Sequence, residues 1–321
     1  WKASLGLANS YRARLQYAQA RIHYEKVVAH PDVPINTYFY FGQCLMVARE
    51  YAEAEKWFAK YAKEAPLDPR ATTFRDLEKL VTAVMRDSAQ YDVIRLPINS
   101  PWSDFSPAYF QNGILFVSAR PNEIGVLHSS TLDDAPLLDL YFAQADTQGQ
   151  WSKPKPFGEL NTKLNEGPLV WDSRRGVIYI TRNDPQHKKN KEKEAKKGIN
   201  RLQIEVLTLQ NGTWVSEKPF PVHDKRFAVG HPALSSDGNQ LIFASDMPGG
   251  MGGTDLYKLT WDETNGMWSL PVNLGPVVNT SENELFPYID AESQLYFASN
   301  GHLGLGGLDI FCVKPNGNSG W

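Results

Sequence analysis

The sequence lacks several features that would assign it at once to a functional class. Only two of its 321 residues are cysteines, Cys44 and Cys312, so no disulfide framework is predicted. No apolar run approaches the roughly 20 residues that span a bilayer. Lys and Arg (33) nearly balance Asp and Glu (36), which argues against a nucleic-acid-binding protein with one strongly basic face. The seven histidines are scattered without metal-ligand spacing, so no metal site is predicted.

What is present changes in character near residue 90. Up to that point, apolar residues recur at helical spacing, as in the stretch YAEAEKWFAKYAKEA. Beyond it, short β-type runs such as VIYIT and QLIFAS alternate with clusters of Gly, Pro, Asn and Asp. We therefore predict a multidomain α + β protein, with a helical domain at residues 1–90 and an all-β domain at residues 91–321.

The helical part repeats with a period of 34 residues. The recurring positions are Leu7, Ala8 and Tyr11 with Phe41, Gly42 and Leu45, and Ala20, Tyr24 and Val27 with Ala54, Phe58 and Tyr61. A small residue lets two antiparallel helices approach, and prolines at 31 and 66 end the second helix of each unit. This pattern resembles the tetratricopeptide repeat (TPR), with two units at about residues 3–67. Residues 69–86 are predicted to form a helix that caps the stack.

The β part repeats a unit of four short strands. Each unit begins near a proline: Pro107, Pro168, Pro232 and Pro287. Four strands per tandem repeat predict a β-propeller with one blade per repeat. Four blades are visible. The last is expected to be cut short, because Trp321 falls where the other blades begin their outer strand. Residues 91–96 resemble an outer strand without a blade before them, so they either close a ring of four or match a further blade. Because the chain begins at Trp1, we expect a mature or trimmed fragment.

A glycine-rich stretch, SDMPGGMGGTDLY at residues 245–257, has the glycine density of a phosphate-binding loop. However, it contains no Lys and leads into a strand, whereas a phosphate loop opens a helix. The same pattern returns 54 residues later as SNGHLGLGGLDIF. We therefore predict structural blade turns and no cofactor. The turn residues are Gly250, Gly252, Gly253 and Asp255 in the third blade, and Gly304, Gly306, Gly307 and Asp309 in the fourth.

These turns, together with the connector WSLPVNLGPVVNTSENE, resemble the PD40 (WD40-like) propeller repeat. Combined with the TPR-like helices, the chain is similar to the Bacteroidetes OmpA-family envelope proteins, including the PorE-like component of the type IX secretion system. The resemblance implies a non-catalytic protein–protein interaction scaffold in the periplasm, associated with the outer membrane. Its partners would be other envelope proteins, and peptidoglycan would be bound only through a C-terminal domain that these residues do not include. No enzymatic activity, nucleic-acid binding or membrane span is expected.

Three further features of the sequence bear on its function. By analogy with TPR grooves, the candidate partner-binding residues are Asn9, Arg12, Phe39, Gln43 and Met46. Asp133, Asp134 and Asp139 lack the alternating ligands of a calcium loop, and the Lys-rich run at 187–198 is interpreted as a solvated insertion. The alternative functions are a glycan-acting hydrolase or lyase, or a carbohydrate- or peptidoglycan-binding module, built on the propeller.

Overall fold

The computed structural model describes residues 1–68, 70–73, 77–86, 92–121, 137–162, 164–183, 201–317 and 321. The chain divides into two compact units. The first contains Trp1–Val93 together with two short later segments, Ser281–Asn283 and Ala298–Phe311. The second contains Ile94–Thr280, Glu284–Phe297 and Cys312–Trp321. Within the described residues, no helix has the length and apolar character that crossing a membrane requires.

The first unit is built from helical hairpins. Its helices are α1 (Lys2–Ala13), α2 (Tyr17–Glu25), α3 (Asn36–Val47), α4 (Tyr51–Glu64), α5 (Arg70–Thr73) and α6 (Leu77–Arg86). The small residues of the 34-residue period lie where helices cross: Ala8, Ala20 and Ala54 are fully buried. A Cβ atom on Gly42 would lie 2.8 Å from the Phe58 ring, so the close approach of α3 and α4 depends on that glycine.

The second unit forms a four-bladed β-propeller, which confirms the predicted architecture of propeller blades after N-terminal helices. The first blade is β1 (Asp104–Phe110), β2 (Gly113–Ser118), β3 (Asp139–Ala143) and β4 (Lys155–Pro156); the second is β5 (Glu166–Asp172), β6 (Val177–Asn183), β7 (Leu202–Gln210) and β8 (Thr213–Pro219). The third is β9 (Val229–Leu234), β10 (Gln240–Ser245), β11 (Asp255–Asp262), β12 (Met267–Trp268) and β13 (Val272–Asn273); the fourth is β14 (Glu284–Ile289), β15 (Leu295–Ser299) and β16 (Asp309–Val313). The strands of each blade follow one another in chain order, except that β13 pairs with β11 in the third sheet, and the fourth sheet has three strands.

Apolar side chains pack between successive blades. One cluster joins blades one and two around Phe110, Leu115 and Ile180. A second joins blades two and three around Tyr179 and Phe243. Burial of these alternating inward positions supplies the main stabilisation of the propeller.

Connector asparagines tie the first and the third blade to the next segment of chain. Asn161 accepts a hydrogen bond from the Leu140 amide (2.8 Å) and donates one to the Leu140 carbonyl (3.1 Å). Asn279 makes the same pair of bonds to Leu256, at 2.8 and 2.9 Å. The repeated Asn of the connector pattern therefore substitutes for a missing strand neighbour on the third strand of its blade.

Some expectations differ from the structure or fall outside it. Residues 92–96 lie outside every strand, so the predicted outer strand is absent from that segment of the described chain. Tyr91, Asp133, Asp134 and the Lys-rich run at 187–198 lie outside the described residues.

Candidate functional site

The innermost strand of each blade, β1, β5, β9 and β14, carries the residues around the propeller axis. In three of the four, the residue before the aligned proline has a positive φ: Ser106 (49°), His231 (53°) and Phe286 (51°). In the second blade Gly167 takes that place. A residue in the left-handed conformation followed by proline interrupts the hydrogen bonds between neighbouring strands and forms a β-bulge. The register shift between Phe105 and Ala108 in the β1–β2 pair is such a bulge.

Carboxylates begin three of these four strands, and they close the turn before the strand. Asp104 accepts hydrogen bonds from the Ser100 amide (2.6 Å) and hydroxyl (2.9 Å). Glu166 accepts the corresponding pair from Thr162, at 3.1 and 2.7 Å. Glu284 accepts a further pair from Thr280, at 2.8 and 2.7 Å. Because the arrangement recurs in three of the four blades, we assign it a structural function.

Glu166 differs from the other two in its ionisation. Burial raises the pKa of Glu166 to about 7, against the lowering effect of the Thr162 bonds and the Arg182 charge. The Asp139 charge raises the pKa further. A carboxylic acid protonated near neutral pH has the property of a general acid. However, the Glu166 side chain is 0% exposed, so a substrate cannot contact it in this structure, and we assign it to the fold.

Aromatic side chains fill the space between the inner strands. The Phe286 ring stacks on the His231 ring at 4.2 Å between centroids, and it meets the Phe105 ring edge-on at 6.0 Å. His231 Nδ1 accepts a hydrogen bond from the Phe286 amide at 3.3 Å. Burial lowers the pKa of His231 to about 4, so its imidazole is neutral at physiological pH.

At the opposite end of the inner strands, tyrosines face solvent. Tyr109 lies near the end of β1 and is 77% exposed, while Tyr288 lies near the end of β14 and is 47% exposed. The Tyr288 and Tyr296 rings are 6.2 Å apart at an angle of 45°. Burial, followed by the charge of Tyr109, raises the pKa of Tyr288, so these two side chains are electrostatic neighbours. We name Tyr109, Tyr288 and Tyr296 the tyrosine face.

Two carboxylates accompany the tyrosine face. The charges of Asp290 and Glu292 both contribute to the raised pKa of Tyr288. Asp290 is held by Gln294, whose amide and side-chain Nε2 donate hydrogen bonds at 2.7 and 3.1 Å. Glu292 is exposed in the hairpin turn. Aromatic surface and carboxylate oxygens therefore lie together at one end of the propeller.

No metal centre accompanies these groups in the part of the chain that the structure describes. No group of three or more His, Cys, Asp or Glu side chains is arranged there to hold a metal ion.

The predicted blade-turn residues lie in two turns whose aspartates fold back on the backbone. Asp255 accepts hydrogen bonds from the Met251 and Gly252 amides, and Asp309 accepts them from the Leu305 and Gly306 amides. A Cβ on Gly250 or Gly304 would lie 2.6 or 2.1 Å from the respective carboxylate oxygen. The glycine five residues before the Asp is thus required by the close approach of the carboxylate. Gly253 and Gly307 complete the two predicted sets.

The five candidate groove residues lie in the helical unit. Asn9 accepts a hydrogen bond from the Tyr24 hydroxyl (2.7 Å), and the Arg12 guanidinium stacks on the Tyr40 ring at 3.7 Å. Phe39 is buried in the helical core. Gln43 and Met46 are also buried, and they line a small cavity with residues of the 298–311 segment.

Comparison with known proteins gives distant similarities to solved structures. No protein-family model matches the sequence, and no curated protein matches it. Among solved structures, the chain is similar to a glycoside hydrolase (11% identity, TM-score 0.41), over 68% of this chain and 71% of that one. It is also similar to the GH43 endo-arabinanase of Bacillus licheniformis (11%, TM-score 0.36, 68% and 76%). A third similar structure is a puromycin hydrolase (16%, TM-score 0.33), of which the matched part spans only 38%.

Two predictions are wrong on this comparison. These similar structures are hydrolases, and neither the non-catalytic interaction scaffold nor the absence of enzymatic activity is retained.

The sequence analysis missed the tyrosine face. A signal for it was available, because a tyrosine follows the aligned proline closely in both the first and the fourth blade (PAYF and PYID). Grouped exposed aromatics on the inner strands are a feature of a binding surface, whereas core aromatics pack toward the neighbouring blade.

Proposed function

We propose that the protein acts on glycan chains, which it binds at the tyrosine face of the propeller. The observation that carries this proposal is the pair Tyr109 and Tyr288, exposed at the same end of the inner strands of the first and fourth blades. Exposed aromatic surface is unfavourable in water unless a ligand covers it, and grouped exposed aromatics are characteristic of binding sites.

The chemistry of the tyrosine face suits a sugar ring. A pyranose or furanose presents C–H groups on one face and hydroxyl groups around its edge. The C–H groups pack on the electron-rich face of a tyrosine ring, and carboxylates such as Asp290 accept hydrogen bonds from the hydroxyls. The tyrosine hydroxyls add donors at the rim of the same surface.

The test is binding to a panel of soluble oligosaccharides, measured by isothermal titration calorimetry. The panel contains arabinan, β-glucan and chitin oligomers. We expect at least one to bind, and we expect Tyr109→Ala and Tyr288→Ala each to weaken that binding by at least tenfold, because each removes a packing surface.

The matched control is Leu209→Ala, which truncates an exposed apolar side chain on the second blade. It is expected to leave affinity unchanged. Absence of binding by every oligosaccharide, or equal loss with the Leu209 variant, would exclude the tyrosine face as a glycan site.

Glycoside hydrolysis is the activity that we propose for this site. Its support is the presence of two carboxylates, Asp290 and Glu292, beside the tyrosine face, since most glycosidases use a carboxylate pair. We expect release of reducing ends from the oligosaccharide that binds, and a loss of more than a hundredfold in rate for Asp290→Asn or Glu292→Gln with affinity retained. Binding without any release of reducing ends would leave a carbohydrate-binding function and refute hydrolysis.

The finer classification is also proposed. The 34-residue period supports assigning the helical hairpins to the TPR class, and the G-x-G-G-x-D turns support the PD40 class for the blades. The resemblance to OmpA-family envelope proteins likewise supports a periplasmic location beside the outer membrane, in contact with other envelope proteins. Fractionation of the source cells tests that location.

A further inference from the structure

The turn between β15 and β16 packs against the helices within the first compact unit. The segment at residues 298–311, which comprises this turn and the adjoining ends of the two strands, is called the docked turn here. A Cβ on Gly306 would lie 3.0 Å from both the Met46 Cβ and the Val47 amide nitrogen. Gly306 and Gly307 also have φ of +106° and +81°. Contact distance and backbone conformation therefore both require glycine at this point.

Polar and apolar side chains anchor the docked turn to the helices. The Asn300 side chain lies beside the Tyr17 hydroxyl and partly offsets the raised pKa that burial gives this tyrosine. Leu303 packs against the core cluster of the helical hairpins. His302 lines a small cavity with Gln43 and Met46. We call the receiving surface, formed by Tyr17, Gln43, Met46 and Val47, the helical groove.

A second contact holds the neighbouring segment 281–283. Arg70 Nη1 lies 3.0 Å from Glu282 Oε1, and its other nitrogens bind Asp68 at 2.8 and 3.0 Å. The Arg70 and Glu282 side chains are only 17% and 11% exposed. Removing one partner of a charge pair this enclosed leaves the other charge uncompensated, so the pair fixes the segment that precedes the fourth blade.

The third-blade turn shows that these anchors are not a general property of the repeat. It has the same glycines and aspartate, but Asp246, Pro248 and Gly249 stand where the fourth blade has Asn300, His302 and Leu303. Within it only Gly249 has a positive φ, whereas Gly306 and Gly307 are the left-handed pair of the docked turn. The two turns share a sequence motif and differ in backbone path and anchoring side chains.

We propose that the helical groove is a recognition site for a blade turn with paired left-handed glycines, and that residues 298–311 are its intramolecular ligand. The groove discriminates this turn from the third-blade turn through Asn300, His302 and Leu303. The proposal is independent of the tyrosine face and of any activity on glycans.

The test replaces three residues of the docked turn in the full chain by the residues at the aligned positions of the third-blade turn. The combined substitutions are Asn300→Asp, His302→Pro and Leu303→Gly. Amide hydrogen exchange is then followed by mass spectrometry. We expect exchange in α3 and α4 to accelerate by about a hundredfold, because the groove loses its ligand, while strands β6 and β10 keep their wild-type protection. A synthetic peptide of residues 298–311 is expected to restore the protection, and a peptide of residues 244–257 is not.

The outcomes are distinguishable. Wild-type protection of α3 and α4 in the triple variant would overturn the proposal, and so would loss of protection that neither peptide restores at millimolar concentration. Equal restoration by both peptides would overturn the claimed discrimination. If the triple variant also loses protection in β6 and β10, the single variant Leu303→Gly is used with the same two peptides and judged by the same criteria.

Discussion

Gly113→Ala is expected to destabilise the first blade by about 3 kcal/mol or more, among the largest effects of any single methyl group in the propeller. The Cβ would lie 2.4 Å from the carbonyl oxygen of Ala143 and 2.7 Å from the Phe142 ring. The carbonyl belongs to the neighbouring strand β3 and cannot rotate away. The strands β2 and β3 must therefore separate at this end, which breaks ladder hydrogen bonds next to the core cluster around Phe110.

Chemical denaturation, with hydrogen exchange to locate the effect, measures this change. Gly158→Ala is the matched control, because no atom lies within 4 Å of its added Cβ. The control is expected to stay within about 0.5 kcal/mol of wild type. A Gly113→Ala protein as stable as the control would show that β3 can shift without cost, contrary to the close packing seen here.

His231 is expected to make the propeller acid-sensitive. Its folded pKa of about 4 lies below the ordinary value of 6.5, so the unfolded chain takes up the proton more readily than the folded one. The stability is therefore complete above pH 6.5 and is lost as the pH falls toward 4. With about 1.4 kcal/mol per pKa unit, the loss from His231 amounts to roughly 3 kcal/mol. Its physical cause is burial of the imidazole against Phe286, with Nδ1 accepting the Phe286 amide.

Unfolding free energies of wild type and His231→Gln between pH 4 and 8 isolate this effect. All other groups titrate in both proteins, including Glu166, whose raised pKa acts in the opposite direction. The wild-type advantage over the variant is expected to shrink by roughly 3 kcal/mol from pH 7 to pH 4. Parallel pH profiles would show that His231 is protonated as easily in the folded protein as in the unfolded chain.

Much of the fold follows from the sequence, since its repeats are local. The 34-residue period placed small residues at the helix crossings, as Gly42 against Phe58 shows. The four aligned prolines marked the inner strand of each blade, and the recurrence of the glycine turn distinguished a structural turn from a phosphate site. Such patterns can be recognised in the sequence because each is set by neighbours within one strand, turn or helix pair.

The function could not be predicted from the sequence in the same way. The resemblance to envelope scaffolds led to a non-catalytic prediction that the comparison with hydrolase propellers overturned. Repeat motifs report how a blade is built, and they carry no information about which ligand its surface binds. The carboxylates of the repeat illustrate this point: Asp104, Glu166 and Glu284 have the chemistry of catalytic groups, yet each closes a turn.

The sequence by itself therefore determined the succession of helices and propeller blades and the repeated strand pattern of the blades. The tertiary structure alone decided that Tyr109 and Tyr288 become neighbours, and that the turn at 298–311 lies in the helical groove. Both depend on residues far apart in the chain, whose approach is set by the packing of whole blades and hairpins. No local pattern encodes such a pairing, because its energy arises only when the surfaces meet.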